Sequence, residues 1–173
     1  MEAAEFILKT QRLRLRQFSL DDADFMLRLL NDPGWLRFIG DRGVTNLVQA
    51  QDYLQNGALE NYRRLGFGFY AILTNDSIVP IGMCGLTKRD YLDAPDLGFA
   101  LLAQYEGQGL AFEAATACLQ FAQHELQLSR VLATTRLDNE RSAKLLEKLG
   151  MRFKENILHP DGDRYLKLYE IGF

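Results

Sequence analysis

An apolar run at residues 99–102 breaks into a short turn holding Gly107 and Gly109, and that turn opens directly into a helical pattern. No other stretch constrains the chain as tightly. A strand feeding a glycine-bearing turn at a helix N-terminus points several unpaired backbone N–H groups at one spot. The helix dipole adds partial positive charge there, so the spot favours an anion such as a phosphate. Glycine lets the backbone approach that anion closely, because no Cβ intervenes. The segment reads as a pyrophosphate cradle. Behind it, the stripe Leu110, Ala114, Ala117 and Phe121 is expected to be the buried face of the helix.

Two familiar phosphate-binding motifs do not match. A P-loop needs Lys-Ser or Lys-Thr after its glycines, and neither follows here. A dinucleotide fingerprint needs a third glycine where this chain has Phe112. What remains is x-x-x-G-x-A from Glu106, with Gly109 and Ala111 as its small residues.

Composition removes further classes. The 173 residues favour one domain, and 47% apolar with 25% charged residues is a globular profile. A net charge of −3 disfavours a nucleic-acid partner, which would call for a basic chain. The apolar runs fall well short of a membrane span. The start Met1-Glu2-Ala3-Ala4-Glu5 is acidic and lacks the basic opening of a secretory signal. Cys84 and Cys118 lie in apolar surroundings, as small core residues of a protein in a reducing cytoplasm would. His124 and His159 have no partners at metal-ligand spacing, so no metal site is expected.

Along the chain, residues 11–18 alternate Leu13 and Leu15 with Arg12, Arg14 and Arg16, a strand whose arginines are expected on a solvated face. Ser19 opens a helix that runs through Leu30 and ends at Asn31-Asp32-Pro33-Gly34. A second helix is expected over 47–64, then β-rich runs at 66–73, 78–88 and 96–102. The cradle helix should cover 107–126, followed by a strand at 130–136, a helix at 139–149 closed by Gly150, and a hairpin of 152–158 with 164–171. The fold class is α/β (α+β), one domain over 1–173, with a mixed, mostly antiparallel sheet of about seven strands and four to five helices.

This order resembles the GNAT acetyltransferase superfamily across nearly the whole chain. Thr10-Gln11-Arg12-Leu13-Arg14-Leu15-Arg16, Asp96-Leu97-Gly98-Phe99-Ala100-Leu101, the cradle, and Asn139-Glu140-Arg141-Ser142 running into Glu147-Lys148-Leu149-Gly150-Met151 are similar to the branch of the RimJ and RimL ribosomal-protein N-terminal acetyltransferases. The resemblance implies acetyl-CoA as donor and a primary amine as acceptor, foremost a protein or peptide N-terminal amine. It leaves open a small amine (polyamine, amino-acid derivative or aminosugar), a non-catalytic acetyl-CoA-binding module, and a monomeric or homodimeric state. It implies that backbone amides of Gly107, Gln108, Gly109, Leu110 and Ala111 hold the pyrophosphate. Phe99 and Leu101 would pair their backbone with the pantetheine arm where two strands splay, and Asn139 would hydrogen-bond that arm or serve as an N-cap.

Two positions depart from the family pattern. Glu106 stands where Gln or Arg is common, and like charge should turn it to solvent. Leu145 and Leu146 stand where many members carry a tyrosine. In the RimL-like pattern that this chain resembles, the serine of N-x-x-S, here Ser142, protonates or hydrogen-bonds the leaving sulfur. Amide formation also needs a neutral amine, and an α-amine near pKa 8 needs less help from a base than lysine near 10.4. Asp96 is the first candidate base; Glu60 and a water chain to solvent are the others. A backbone N–H near Leu101 would polarise the thioester oxygen. An acetyl-cysteine intermediate is not expected, because Cys84 and Cys118 lack basic neighbours in sequence. Trp35, Phe38, Tyr53, Tyr91 and Tyr165 are candidates to line the acceptor entrance, and the acids of the 90–96 loop suit a cationic amine.

Overall fold

Alternation sets the sheet. On the strand β2 (Leu13–Gln17), Leu13 and Leu15 point to one face and are fully buried. On the next two strands, β3 (Phe69–Thr74) and β4 (Gly82–Thr87), the period of two divides residues between opposite faces. Tyr70, Ile72 and Cys84 join Leu13 and Leu15 on one side, while Ala71, Leu73 and Met83 face the other. The computed structural model describes residues 5–173, so the acidic start at residues 1–4 lies outside the described residues.

The other strands are β1 (Phe6–Lys9), β5 (Asp96–Leu101), β6 (Arg130–Arg136), β7 (Arg152–Leu158) and β8 (Tyr165–Gly172). All eight form one sheet in the order β1-β2-β3-β4-β5-β6-β8-β7. Every neighbouring pair is antiparallel except β5 with β6.

Two helical layers cover the faces. α1 (Ala23–Leu30), α2 (Pro33–Phe38), and the segment α3 (Leu47–Leu54) and α4 (Glu60–Leu65) pack on one side. Residues 47–65 are one continuous helix with a π-helical stretch at Gln55–Leu59, and Gly66 ends it in the left-handed region at φ 81°. α5 (Leu110–His124) and α6 (Glu140–Lys148) pack on the other side. Counting 47–65 once gives five α-helices among the described residues, in line with the expected architecture.

Four details differ from the sequence reading. β1 is an eighth strand, four residues long, joined to β2 by a turn in which the Thr10 N–H donates to the Leu13 carbonyl at 2.8 Å. No glycine or proline marks that turn. α2 stands where a helix stop is expected: the Asp32 side chain accepts from the Gly34 N–H at 3.1 Å and Pro33 begins the helix, a recognised start signal. The arginines of β2 are not simply solvated. Arg16 makes a two-pronged pair with buried Asp22 at 2.8 and 2.9 Å, and Arg14 lies over the Phe6 ring and donates to the Ser77 carbonyl. Finally, α5 buries Leu110, Ala114, Ala115, Cys118, Leu119 and Ala122, leaving Ala117 and Phe121 at the flank of that stripe. Cys84 and Cys118 are both buried and unbridged, as expected of core thiols.

Candidate active site

The site begins where the sheet opens. β5 and β6 pair at a single register point, Asp96 with Leu132, supported by the Leu132 N–H donating to the Pro95 carbonyl at 2.9 Å. β4 holds the other edge of β5 along its whole length. The Leu102 N–H donates to the Ile81 carbonyl at 2.9 Å, so the even-numbered residues bond toward β4. Alternation then directs the N–H and C=O groups of Leu97, Phe99 and Leu101 into the gap beside β6. This is the splayed edge expected at Phe99 and Leu101.

The gap leads to the start of α5. Gly107 and Gly109 have φ of 77° and 79°, a region closed to most side chains. No side chain caps α5, and its first intrahelical acceptor is the Gly109 carbonyl, bonded by the Glu113 N–H at 3.1 Å. The N–H groups at the start of the helix therefore have no intrahelical partner. A Cβ on Gly107 would meet nothing within 4 Å, so the space above this turn is open.

The turn is braced from behind by a residue whose sequence pattern suggests a solvated face. Arg12 donates from Nε to Glu113 at 2.7 Å and from Nη1 to the Gln108 carbonyl at 2.9 Å. Glu113 also accepts from the Arg12 N–H at 2.9 Å and from the Thr10 hydroxyl. Holding the Gln108 carbonyl away from the gap fixes which way the neighbouring amides face. Asp32 adds a second brace by accepting from the Ala103 N–H at 3.2 Å. Glu106 is exposed as expected, yet it is not free: Arg141 donates to it at 3.2 Å.

Across the gap stands the start of α6. The Asn139 side chain accepts from the Ser142 N–H at 3.2 Å, so the N-cap role is realised. Asn139, Ser142, Leu145 and Leu146 all line the same cavity as Phe99, Leu101 and the cradle glycines. That cavity has a volume of about 450 Å³. Cradle, strand edge and α6 thus share one connected space.

At the far end of β5, five residues and roughly 17 Å from Leu101 at about 3.3 Å per step, Asp96 is buried to 3% exposure. Its Oδ2 accepts from Arg89 Nε at 3.2 Å, while Oδ1 has no hydrogen-bond partner among the described residues. Burial pushes the carboxyl up to about 6; Arg89 pulls the other way without cancelling it. Trp35, Phe38, Tyr53 and Tyr91 all line the cavity. Tyr165 is 57% exposed and is not among the lining residues. Glu60 is also outside the cavity, ion-paired to Arg63 on the exposed side of its helix.

Several lining groups carry no signal in the sequence. His159 and Arg164 reach the cavity from the turn between β7 and β8, with the His159 ring centroid 5.7 Å from that of Tyr91. Arg42, Arg89 and Arg136 line it too. They are scattered singly through loops and strand ends, without spacing that marks them. The acids of the 90–96 loop do not gather here: Asp93 is exposed and pairs with Arg130 at 2.6 Å, leaving Asp96 to face the cavity. The β7–β8 turn does bring His159, Asp161 and Asp163 together. Arg164 sits among them, 2.7 Å from Asp163 and 3.8 Å from Asp161, and the Asp161 N–H donates to His159 Nδ1 at 3.1 Å.

Comparison with known proteins agrees with this geometry. Residues 12–152 match the family model described as Acetyltransferase (GNAT) domain. An uncharacterized N-acetyltransferase, p20 of Bacillus licheniformis, is 29% identical over 155 residues, covering 87% of this chain and 84% of p20. The [ribosomal protein uS5]-alanine N-acetyltransferase of Escherichia coli (strain K12) is 30% identical over 97 residues, 54% of this chain and 50% of that protein. A solved RimL, described as ribosomal L7/L12 alpha-N-protein acetyltransferase in complex with coenzyme A, shares the fold at TM-score 0.82 and 17% identity, covering 98% of each chain. No helix among the described residues is long and apolar enough to cross a membrane. With a family match spanning most of its length and the splayed β5–β6 gap in place, the chain belongs to the GNAT acetyltransferase family.

Proposed function

We propose that this protein transfers the acetyl group of acetyl-CoA to the α-amine of a protein or peptide N-terminus, by direct attack with both substrates bound. The observation that carries this reading is the unpaired edge of β5, which runs from an anion cradle at one end to a buried carboxylate at the other. The names of the two ribosomal-protein acetyltransferases above support the choice of an N-terminal amine. Two buried, unbridged cysteines suit a reducing cytoplasm.

The residues fit acetyl-CoA. Backbone amides of Gly107, Gln108, Gly109, Leu110 and Ala111 hold the pyrophosphate, and the open space over Gly107 admits it. Phe99 and Leu101 pair their backbone with the pantetheine arm, and Asn139 adds a side-chain contact while it caps α6. Acetyl-CoA supplies the activated thioester. The reaction joins the acceptor nitrogen to the acetyl carbon and breaks the C–S bond; one proton leaves the amine and one reaches the sulfur. Because Asp96 stands at the opposite end of β5 from Leu101, a backbone N–H of β5 on the Asp96 side of Leu101 donates to the carbonyl oxygen as charge builds there. Ser142, at the start of α6, donates its hydroxyl to the departing sulfur.

Asp96 receives the proton from the amine, directly or through a water. A base near pKa 6 lies about two units below an α-amine and more than four below lysine. Each unit is about 1.4 kcal/mol of uphill transfer, so the site suits α-amines far better than lysines.

Release of free thiol, measured over a panel of acceptors, tests the reading. Peptides with a free N-terminus should support turnover, and the same peptides blocked at that amine should not, even when they contain lysine. Turnover confined to polyamines, amino acids or aminosugars would overturn the choice of acceptor. CoA binding without thiol release from any amine would mark a non-catalytic binding module.

A further inference from the structure

The cavity carries the wrong charge for a simple cationic amine. In a chain of net charge −3, the cavity lining includes Arg42, Arg89, Arg136, Arg141 and Arg164. Two acids, Asp96 and Glu106, oppose them there. Glu106 is spent on Arg141 beside the cradle, and Asp96 meets only the Nε of Arg89. The two terminal nitrogens of Arg89 remain as donors, and its side chain is 39% exposed.

Arg164 lines the same cavity from the β7–β8 turn. Its acids, Asp161 and Asp163, are both reached through Nη1 and stand 68% and 63% exposed, whereas Arg164 itself is 25% exposed. Exposed pairs of this kind are screened by water and hold an arginine weakly. The His159 N–H donates to the Arg164 carbonyl at 2.9 Å and the His159 ring centroid lies 5.7 Å from that of Tyr91, two residues from Arg89, so the β7–β8 turn carries Arg164 toward the Arg89 side of the cavity. Asp96, bonded to Arg89 and lining the same cavity as Arg164, has an Oδ1 with no hydrogen-bond partner among the described residues. A buried acceptor next to clustered donors suits a ligand that brings an amine and an anion together.

Resting on the transferase reading above, we propose that the acceptor carries a carboxylate within a few bonds of its amine, held by Arg89 and Arg164 while the amine faces Asp96. A planar carboxylate accepts two parallel N–H bonds from a guanidinium, and such charge-assisted bonds are the strong ones. An acidic side chain at the second residue of a peptide provides this group; so does the α-carboxylate of a free amino acid.

Matched acceptors decide the matter. Thiol release is measured with C-terminally amidated peptides beginning Ser-Glu, Ser-Gln and Ser-Lys, and with free glutamate against its α-amide. We expect Ser-Glu to exceed Ser-Gln in kcat/KM by about tenfold or more, through KM, with Ser-Lys poorer still and the preference shrinking in high salt. R164Q should erase the Glu-over-Gln preference, and R164K should restore part of it. Preference for free glutamate over both its amide and the Ser-Glu peptide would assign the carboxylate to an amino acid and support the proposal from its other source. Equal kcat/KM for Ser-Glu and Ser-Gln, together with no preference for free glutamate over its α-amide, would overturn the proposal and leave the transferase reading standing. No thiol release from any member of the panel would overturn both.

Discussion

Asp96 is placed by its neighbours rather than by its own preference. A carboxylate at 3% exposure is held near 6, above its usual value of 3.8, because burial outweighs the pull of Arg89. The fold disfavours the ionised form, so the stability this group contributes is full below 3.8 and is lost as pH rises through about 6. Asp96→Asn should therefore raise the melting temperature at pH 8, and the gain should fade by pH 5, where the native carboxyl is already protonated. Activity should move the other way. The rise in kcat/KM with pH should show an inflection near 6 that disappears in the Asn variant, with turnover down about a hundredfold. A variant retaining the inflection would assign it to another group. Ser142→Ala should lower kcat while leaving CoA affinity unchanged; equal loss of both would place the serine in binding instead of in proton delivery.

At the scale of elements, the cap of α6 that Asn139 makes and the CoA contact proposed for it can be separated by substitution. Asn139 caps the helix by accepting from the Ser142 N–H at 3.2 Å, a bond worth about 1 kcal/mol. Aspartate caps as well as asparagine but offers no amide donor. Asn139→Asp should keep the melting temperature within about a degree or two while raising the KM for acetyl-CoA severalfold. An unchanged KM would leave Asn139 as a cap alone. α5 carries the complementary lesson. Its N-terminus is left uncapped, and Arg12, Thr10 and Glu113 secure the turn from behind. An ordinary helix would cap that end with a side chain, and here the backbone donors stay available.

Over the whole molecule, the features legible in the chain are those that local chemistry dictates. Period-two alternation in Leu13 and Leu15, the glycine pair before Leu110, and Asn139 three residues before Ser142 each announce a local geometry. Short antiparallel connections then join β1 to β2 and β3 through β5, while β2 and β3 pair across the intervening helices. The hidden features depend on elements meeting across the fold. Arg16 looks like a surface arginine until α1 brings Asp22 over it. His159 and Arg164 look like turn residues until the β7–β8 hairpin brings both to the cavity and sets His159 beside Tyr91. Glu60 and Tyr165 are site candidates by residue type alone, and the packing turns both outward. β1 escapes detection because a four-residue strand beside a turn without glycine or proline leaves little pattern to find.

The proposed acetyl transfer rests on main-chain donors at 107–111 gripping the diphosphate of CoA. Titration calorimetry of CoA into the unaltered protein and Gly109→Asp tests that grip most directly. Gly109 sits at φ 79°, and a Cβ there comes within 3.4 Å of Arg12 Nη2, so aspartate adds strain and a negative charge at the cradle itself. The predicted result is micromolar or tighter binding by the unaltered protein, with at least a hundredfold loss in a variant that keeps a cooperative melting transition. Equal dissociation constants for the two folded proteins would contradict the placement of CoA on this turn.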